Sequence, residues 1–440
     1  MDLLWTDIGL LFVLFFGVLS TSISLRKKHI RKAFLRILHR PLAVSAGIIL
    51  LFFLVIGLLD SIHFKENSTQ ISSIQNTSIL DKLLSPLGNS FEKTYSAPFA
   101  LQLYAIETGL VNGKVQQIYP RLQYPPSFIT NHTIKGSVIV KCLIKAFFLS
   151  AMLVLLLSGI LIIVRGKTLF SKNRVCALTT LFVCFFLVFA SYWLSRNFHI
   201  FGTGKIGQDI FYYTVKSIRT GLVIGLLTTL FMMPLALLSG ITAGYFGGVI
   251  DDVIQYIYIT LSSIPGVLLI TASVLSMQTW IANHPEQFNT LSKSADARLL
   301  ALCAILGITS WTSLCRLLRA EVLKLREVDF VVAGKALGSS FFTILRKHLL
   351  PNVMHIVIIT LVLDFSFLVL AEAVLSYVGV GVSPMTISWG NMINSARLEL
   401  ARDPIVWWPI LAAFLFMFVL VLASNLFADA VRDAFDPHHS

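Results

Sequence analysis

The sequence predicts an all-α integral membrane protein with about nine transmembrane helices. Of its 440 residues, 56% are hydrophobic and only 13% are charged, and the apolar residues are gathered in runs long enough to cross a bilayer. Lys and Arg collect between those runs, as they do in cytoplasmic loops of membrane proteins. The formal net charge of +13 therefore reflects membrane topology, and nucleic-acid binding is not expected.

Nine apolar segments are candidate spans: 5–24, 42–60, 143–164, 175–194, 217–246, 252–277, 298–318, 352–379 and 406–428. Seven Lys/Arg lie within 26–40, four within 165–174 and seven within 316–347. Threading the nine spans with the amino end outside places all three clusters inside. The first apolar run precedes its basic cluster, the reverse of a signal peptide, so a retained first helix is expected.

A polar, positively charged segment, residues 321–352, lies between two strongly apolar helices; we call it the inner-face segment. Gly338 followed by Ser339 and Ser340 predicts the end of one helix and the N-cap of a second. Pro351 suits the first turn of the next long helix. Apolar positions recur at helical spacing in both halves: Val322, Leu325, Val332, Ala333 and Ala336, then Phe341, Ile344, Leu345 and His348. We therefore expect a helix–turn–helix projection outside the bilayer, with one apolar face left for a partner.

This spacing resembles the "EAA" coupling loop of bacterial ABC-importer permeases, where E-A-A is followed by Gly and then by I-x-L-P. Four residues are in register: Ala333, Gly338, Leu350 and Pro351. Three others stand where the family usually has Glu, the second Ala and Ile: Val332, Gly334 and His348. The peptide-permease branch commonly has His followed by I-L-P-N, which favours that branch. On these residues alone, an ordinary amphipathic cytoplasmic loop is the alternative.

The stretch from His199 to Asp209 resembles the H-x-x-G-T-D-x-x-G-R-D motif that precedes the core of oligopeptide and dipeptide importers. Gly204 and Gln208 replace the family's Asp and Arg, so a charge pair is absent. The likeness continues through further blocks to Pro437: 243–248, 264–266, 371–373, 388–392 and 432–437. The chain is thus similar to the C-type permease subunit of the oligopeptide, dipeptide and nickel transport family over more than half its length.

The resemblance implies a permease core domain at 197–440, of type I with five helices, that contains the inner-face segment. Residues 1–60 would be amino-terminal transmembrane helices with a basic cytoplasmic loop, and 141–196 an inserted helix pair. Residues 61–140 form a polar, turn-rich extracytoplasmic loop or small domain. A solvated spacer and a docking element both remain open for this region.

No catalytic, cofactor-binding or metal-binding residue is expected, and the chain is not expected to be an enzyme. A phosphate-binding loop needs glycines before G-K-[ST]. Gly166–Thr168 supplies only the last three letters, with Leu161 where the first Gly is needed. The five cysteines form no C-x-x-C pair and lie in or beside apolar segments, so neither a disulfide framework nor a metal site is predicted.

Four residues are candidates for a pathway or hinge: Pro265, Gly266, Asp364 and Glu372. A charge inside a span costs at least ~2.5 kcal/mol, so Asp364 and Glu372 should face the bundle or a water-filled path. Pro265-Gly266, like Pro234, is expected to interrupt a span, which often marks a cavity or hinge. Structural hydrogen bonding and static kinks are the alternatives.

The resemblance further implies a subunit that forms half the translocation pathway of an ATP-driven importer in the bacterial inner membrane, with di- or oligopeptides as cargo. Its expected partners are a second permease subunit, two ATP-binding subunits, an extracytoplasmic substrate-binding protein and membrane lipid. Nickel or a peptide-like antibiotic is an alternative cargo. An ATPase-independent secondary transporter and a membrane anchor or assembly factor are rival functions.

Overall fold

The computed structural model describes residues 4–24, 28–65, 76–111, 114–130, 132–165, 172–284, 286, 288 and 290–435. Helices dominate this part of the chain, and its named strands form two short antiparallel hairpins, β1–β2 and β3–β4. The strands are β1 His63–Lys65, β2 Asn76–Ser78, β3 Glu107–Val111 and β4 Lys114–Ile118. The helices are α1 Trp5–Ser24, α2 Lys28–His39, α3 Pro41–Ser61, α4 Ile79–Leu83, α5 Ser85–Gly88, α6 His132–Arg165, α7 Lys172–Ser195, α8 Ile210–Phe246, α9 Gly248–Ser263, α10 Gly266–Asn283, α11 Leu291–Leu325, α12 Asp329–Ala336, α13 Phe341–Ile344, α14 Leu350–Val378, α15 Trp389–Ala396 and α16 Trp408–Phe435. The predicted all-α class is confirmed.

Eight helices among the described residues are long and apolar enough to cross a membrane. They are α3, α6, α7, α8, α10, α11, the continuous helical stretch Phe341–Val378 and α16. In α1 the described side chains form a shorter apolar stretch, Trp5–Leu19. Eight spans together with α1 agree with the prediction of about nine.

Prolines interrupt the helices at one of the two expected places. Helix α9 ends at Ser263, Ile264 is extended, and Pro265 stands at the N-cap of α10. A single span over 252–277 is therefore wrong, because the residue before a proline is driven out of the helical region. Helix α8 runs on through Pro234, so the interruption expected there is wrong as well.

Packing groups the chain into two compact units. Of the described residues, one unit contains those within 38–220 and 387–423, and the other contains those within 4–37, 221–386 and 424–435. The sequence-based boundaries at 60, 140 and 196 remain predictions. The Gly166–Thr168 tripeptide lies outside the described residues.

In the first unit, the polar segment after α5 is folded onto two loops rather than free in solvent. The Tyr104 hydroxyl donates to the Ile405 carbonyl at 3.2 Å, and its ring packs edge-on against Trp408. The Trp408 indole N–H donates to the Thr203 carbonyl at 3.0 Å. These contacts tie the segment to the loop before α8 and to the loop before α16.

A buried charge network holds the same segment. Nδ1 of His199 lies 2.6 Å from Oδ2 of Asp209, and its Nε2 lies 3.8 Å from Oε1 of Glu92, within ion-pair range but beyond a hydrogen bond. Glu92 accepts the backbone N–H groups of Gln123 and Tyr124, each at 2.8 Å. Burial opposes charge on the imidazole, but the two carboxylates outweigh it and raise the pKa of His199 to about 9. A charged His199 therefore links residues far apart in the chain.

The second unit is built around α8, α11 and α14, which share a core of buried side chains. Its members are Met232, Ala236, Ile241, Tyr258, Trp311, Leu314, Cys315, Leu318, Val322, Val331, Ile344, Leu349, Val353 and Val357. Four of these, Val322, Val331, Ile344 and Leu349, come from the inner-face segment. The segment is thus anchored in the core and not a solvated loop.

Candidate functional site: the inner-face segment

The first half of the inner-face segment is the short helix α12, which ends in a Schellman motif. Gly338 has φ +73°, in the left-handed region that favours glycine. Its N–H donates to the Lys335 carbonyl, and the N–H of Ser339 donates to the Gly334 carbonyl, both at 3.0 Å. The predicted helix stop at Gly338 is therefore found where expected.

The second half begins as predicted but joins the next helix without a break. Ser340 is the N-cap of α13, although its hydroxyl contacts the Thr343 hydroxyl at 3.0 Å and no backbone N–H. A π-helical turn, Leu345–Leu349, then leads directly into α14. Helix α14 thus continues α13, and the separate short helix that the sequence predicts is wrong in this respect.

Pro351 gives a physical reason for the π-helical turn. It lies in the first turn of α14 and has no N–H, and its ring would crowd the preceding turn of a regular helix. The wider π turn relieves this crowding. The side-chain amide of Asn352 donates to the His348 carbonyl at 2.7 Å, an additional hydrogen bond across this turn. His348 itself packs against Phe330, with ring centroids 5.5 Å apart.

The end of α8 supports the segment through aromatic contacts. The Phe341 ring lies 5.0 Å from the ring of Tyr245 and 4.9 Å from that of Phe246. The Lys335 ammonium stands 4.5 Å from the centre of the Tyr245 ring, a cation–π distance. These contacts give a structural role to the adjacent aromatic residues Tyr245 and Phe246. Both lie in the block 243–248, one of the blocks that resemble the family.

Two glycines of α8 allow α11 to approach closely, and sequence reasoning missed them. A Cβ on Gly240 would lie 2.8 Å from the Leu318 Cβ, and one on Gly244 would lie 2.7 Å from the Val322 Cβ. Their four-residue spacing is the small-xxx-small pattern of packed membrane helices. The two glycines four residues apart could have indicated this close helix packing from the sequence.

An ion pair between α9 and α11 was also missed. Nε of Arg319 donates to Oδ1 of Asp251 at 2.5 Å and Nη2 donates to Oδ2 at 2.6 Å, a bidentate arrangement. The hydrogen bonds from Arg319 lower the pKa of Asp251. The partners are separated by 68 residues, so no local pattern could reveal them.

Large apolar side chains remain exposed on this anchored frame. Leu337 is 85% exposed and Phe342 is 76% exposed, with Phe330 and Val332 less so. Phe330, Ala333 and Leu337 follow the i, i+3, i+7 spacing of one helical face, and all three are exposed. Apolar surface rimmed by polar residues marks an interaction site. We call Phe330, Val332, Leu337 and Phe342 the exposed apolar set.

The remaining predicted site residues lie around this set. Gly334 faces Ile344, with 3.8 Å between a Cβ placed on Gly334 and Cγ1 of Ile344. Leu350 is half-buried, and Pro351 is exposed. The predicted residues Val332, Ala333, Gly334, Gly338, His348, Leu350 and Pro351 therefore fall on one folded projection, but their coupling role is not tested by this geometry.

The predicted pathway residues are spread over two other elements. Glu372 is buried in α14 and accepts a hydrogen bond from the Ser376 hydroxyl at 2.7 Å. Asp364, two turns earlier, is half-buried. Pro265 and Gly266 form the exposed break between α9 and α10. Glu372 thus faces protein, whereas the pathway and hinge roles of all four residues remain predictions.

Known proteins match the part of the chain that carries this projection. The family described as binding-protein-dependent transport system inner membrane component matches residues 232–439. The glutathione transport system permease protein GsiD of Pectobacterium atrosepticum is 30% identical over 240 residues, or 54% of this chain and 72% of the relative. The chain belongs to this family. The family and the inner-membrane location expected from sequence are thereby confirmed.

Other members of the binding-protein-dependent transport family show the same extent of similarity. The dipeptide transport system permease protein DppC is 32% identical in Lactococcus lactis subsp. cremoris, over 56% of this chain and 66% of the relative. DppC of Bacillus subtilis is 28% identical, over 54% and 68%. The chain thus spans about two thirds of these relatives' length. An inward-facing structure of the MetNI methionine ABC transporter is similar at 16% identity, with a TM-score of 0.37 over 50% of this chain and 96% of that one.

Proposed function

We propose that this chain is the permease subunit of an ATP-driven importer for di- or oligopeptides and forms half of its translocation pathway. The relatives named above are dipeptide and glutathione permeases, which supports a peptide or peptide-like cargo. The complete importer would add a second permease subunit, two ATP-binding subunits and an extracytoplasmic substrate-binding protein. ATP would be hydrolysed by the partner subunits.

One observation carries the proposal: the exposed apolar set stands on a helix pair whose inner side is fixed in the core. Leu337 and Phe342 point away from the protein, while Val331 and Ile344 are fully buried. A short amphipathic projection of this kind fits helix-in-groove recognition. An ATP-binding subunit would supply the groove.

The frame behind the projection can transmit a displacement. The helical stretch Phe341–Val378 is continuous, so a push on α13 acts along the axis of α14. The close contact at Gly244 and the Asp251–Arg319 pair link α11 to α8 and α9. Packed interfaces tend to switch between discrete arrangements rather than bend. Closure of two ATP-binding subunits would therefore tilt several spans together.

Helix α14 also carries two acidic residues, Asp364 and Glu372. Glu372 lies with Ser376 inside the bundle, and half-buried Asp364 lies on the same helix. A carboxyl group inside a membrane protein normally faces a partner or water. We assign Asp364 to the water-filled route and Glu372 to the packing that positions α14.

The test is capture of an ATP-binding subunit from membranes. The full chain is expressed in its native cells, and tagged wild type is compared with Leu337→Asp and Phe342→Asp. Val115→Asp and Phe128→Asp are matched controls, since these apolar residues are 70% and 60% exposed on the other unit. We expect both inner-face variants to lose the ATP-binding subunit and both controls to keep it.

A secondary transporter would behave differently. It would take up peptide with no ATP-binding subunit present, and the aspartates at 337 and 342 would leave uptake unchanged. Equal capture by all four variants would overturn the docking role of the exposed apolar set.

A further inference from the structure

The loop before α16, residues 397–407, exposes apolar side chains on the first unit; we call it the outer-face loop. Its large exposed apolar residues are Leu398, Leu400, Ile405 and Trp407. Charged side chains lie among them, since Arg397, Arg402 and Asp403 are exposed as well. Apolar surface with a charged rim is typical of a protein-binding site. The distribution of basic residues between the spans places this loop outside the membrane.

The polar segment after α5 holds the outer-face loop; we call its residues 89–130 the outer segment. The Tyr104 hydroxyl donates to the Ile405 carbonyl at 3.2 Å. The Arg402 guanidinium lies 5.3 Å from the centre of the Tyr95 ring, a cation–π distance. Two tyrosines of the outer segment therefore contact the loop at separate points.

Glu399 joins the loop to itself and to the outer segment. Its carbonyl accepts the Val406 N–H at 3.3 Å, and its carboxylate lies 3.6 Å from the Arg402 guanidinium. Burial raises the pKa of the Tyr95 hydroxyl, and so does the hydrogen bond that this hydroxyl donates to the Glu399 carboxylate. The loop is thus folded before any partner arrives.

The outer segment and the helix before it are in turn fixed to the rest of the first unit. The Thr203 hydroxyl, in the loop before α8, donates to the Thr94 carbonyl at 2.7 Å. In α4, Asp81 accepts hydrogen bonds from the Lys216 ammonium and the Tyr212 hydroxyl of α8, each at 2.6 Å. The outer-face loop therefore rests on a fixed base.

We propose that the outer segment is a docking element: it holds the outer-face loop in shape, and the exposed apolar residues of that loop bind the extracytoplasmic substrate-binding protein. This decides between the spacer and the docking element that the sequence leaves open. The inference rests on the proposed function, because only an importer needs cargo delivered on this side. The family to which the chain belongs is binding-protein-dependent, so such a partner must meet an outer surface.

A protein fits this loop better than the membrane surface does. Trp408, the first residue of α16, is buried and donates its indole N–H to the Thr203 carbonyl, so protein covers the outer end of the span. Leu398 precedes Trp408 by ten residues and is 74% exposed. Arginine beside apolar and aromatic residues is typical of protein interfaces, and a loop that is already folded loses little conformational freedom on binding.

The first test is photo-crosslinking of the full chain in its native cells. Benzoylphenylalanine replaces Leu398 or Ile405, and crosslinked molecules are identified by mass spectrometry. We expect an extracytoplasmic substrate-binding protein at both positions. Val115 is the matched control, since it is similarly exposed, at 70%, on strand β4 of the same unit, and should not crosslink to it. Crosslinking of Leu398 and Ile405 to lipid or to a second permease subunit alone would overturn the proposal.

The second test measures ATP-dependent peptide uptake while the concentration of the binding protein so identified is varied. Leu398→Asp and Ile405→Asp should each raise the half-maximal concentration about tenfold. Tyr104→Phe loses the hydrogen bond to the Ile405 carbonyl but keeps the ring, and should raise it about threefold. Capture of the ATP-binding subunit should be unchanged in all three variants, which shows that they are folded.

These measurements separate the docking role from the proposed function. Uptake by wild type without ATP would contradict the importer itself. If uptake needs ATP but Leu398→Asp and Ile405→Asp leave the half-maximal concentration unchanged, only the docking role is overturned. An unchanged value in Tyr104→Phe would show that the outer segment does not hold the loop.

Discussion

The guanidinium of Arg319 holds the carboxylate of Asp251 with two hydrogen bonds, at 2.5 and 2.6 Å, and so ties α11 to α9. Asp251→Asn should lower the free energy of unfolding by about 1.5–3 kcal/mol, the range for hydrogen bonds to charged groups. The measurement is the denaturation midpoint of the purified protein in detergent.

The matched control for this pair is Glu327→Gln. Glu327 accepts from Arg326 at 2.9 Å but is mostly exposed, so its loss should cost about 0–1 kcal/mol. If the two variants were equally stable, the Asp251–Arg319 pair would contribute no more to the free energy of unfolding than the exposed Arg326–Glu327 pair does.

Gly334 and Gly338 should respond oppositely to alanine. Gly338→Ala places a side chain at φ +73°, where no atom lies nearby, so the cost is purely conformational, about 1–2 kcal/mol. Gly334→Ala meets Ile344 at ordinary contact distance and should stabilise α12 by up to about 1 kcal/mol. Thermal unfolding of both variants checks the signs. A stable Gly338→Ala protein would contradict the left-handed turn.

Gly244 tests the close approach of α8 and α11. An alanine there would place its Cβ 2.9 Å from the Arg319 carbonyl oxygen and 2.7 Å from the Val322 Cβ, so the helices must move apart. Overpacking of this kind costs about 1–3 kcal/mol. Gly159→Ala, with open space around the new methyl group, is the control. We expect only the first variant to unfold earlier in a denaturant titration.

The His199 network predicts how stability depends on pH. Because the pKa of His199 is raised to about 9 from an ordinary 6.5, its contribution is fully present below pH 6.5 and lost as pH rises through about 9. Burial opposes ionisation of Glu92, but His199 and two backbone N–H groups lower its pKa below 4.5. The Glu92 contribution is present above pH 4.5 and lost as pH falls through the lowered value.

Melting temperatures between pH 5 and 10 check this prediction. Wild type should lose stability between pH 7 and 9.5, and His199→Gln should remove most of that slope. A wild-type curve that is flat over this range would show that His199 is not charged in the fold.

The sequence predicted well whatever depends on neighbours in the chain. Apolar runs located the spans, and Gly338 marked the end of α12, because these features are local. Pro234 and Pro265 show the limit of such reasoning. Pro265 lies between Ile264 and Gly266, with Ser262 and Ser263 just before, and these residues favour a helix less than Met or Leu do. Pro234 lies between Met233 and Leu235 in a strongly helical stretch.

Burial and long-range pairing could not be predicted from the same patterns. Helical spacing placed Val332, and not Val331, on the apolar face of the first helix of the inner-face segment. The structure buries Val331 in the core and exposes Val332. The choice between them depends on how α12 rests on α8 and α14. The Asp251–Arg319 and Glu92–His199 pairs likewise join residues that only the fold brings together.

The most direct test of the account is ATP-dependent uptake of a labelled peptide into vesicles that contain the reconstituted importer. Wild type, Leu337→Asp, Phe342→Asp and the Val115→Asp control are compared at equal amounts of assembled permease. We predict that uptake falls at least tenfold in the two inner-face variants and is unchanged in the control. Undiminished ATP-driven uptake by Leu337→Asp and Phe342→Asp would contradict the claim that this surface receives the work of ATP hydrolysis.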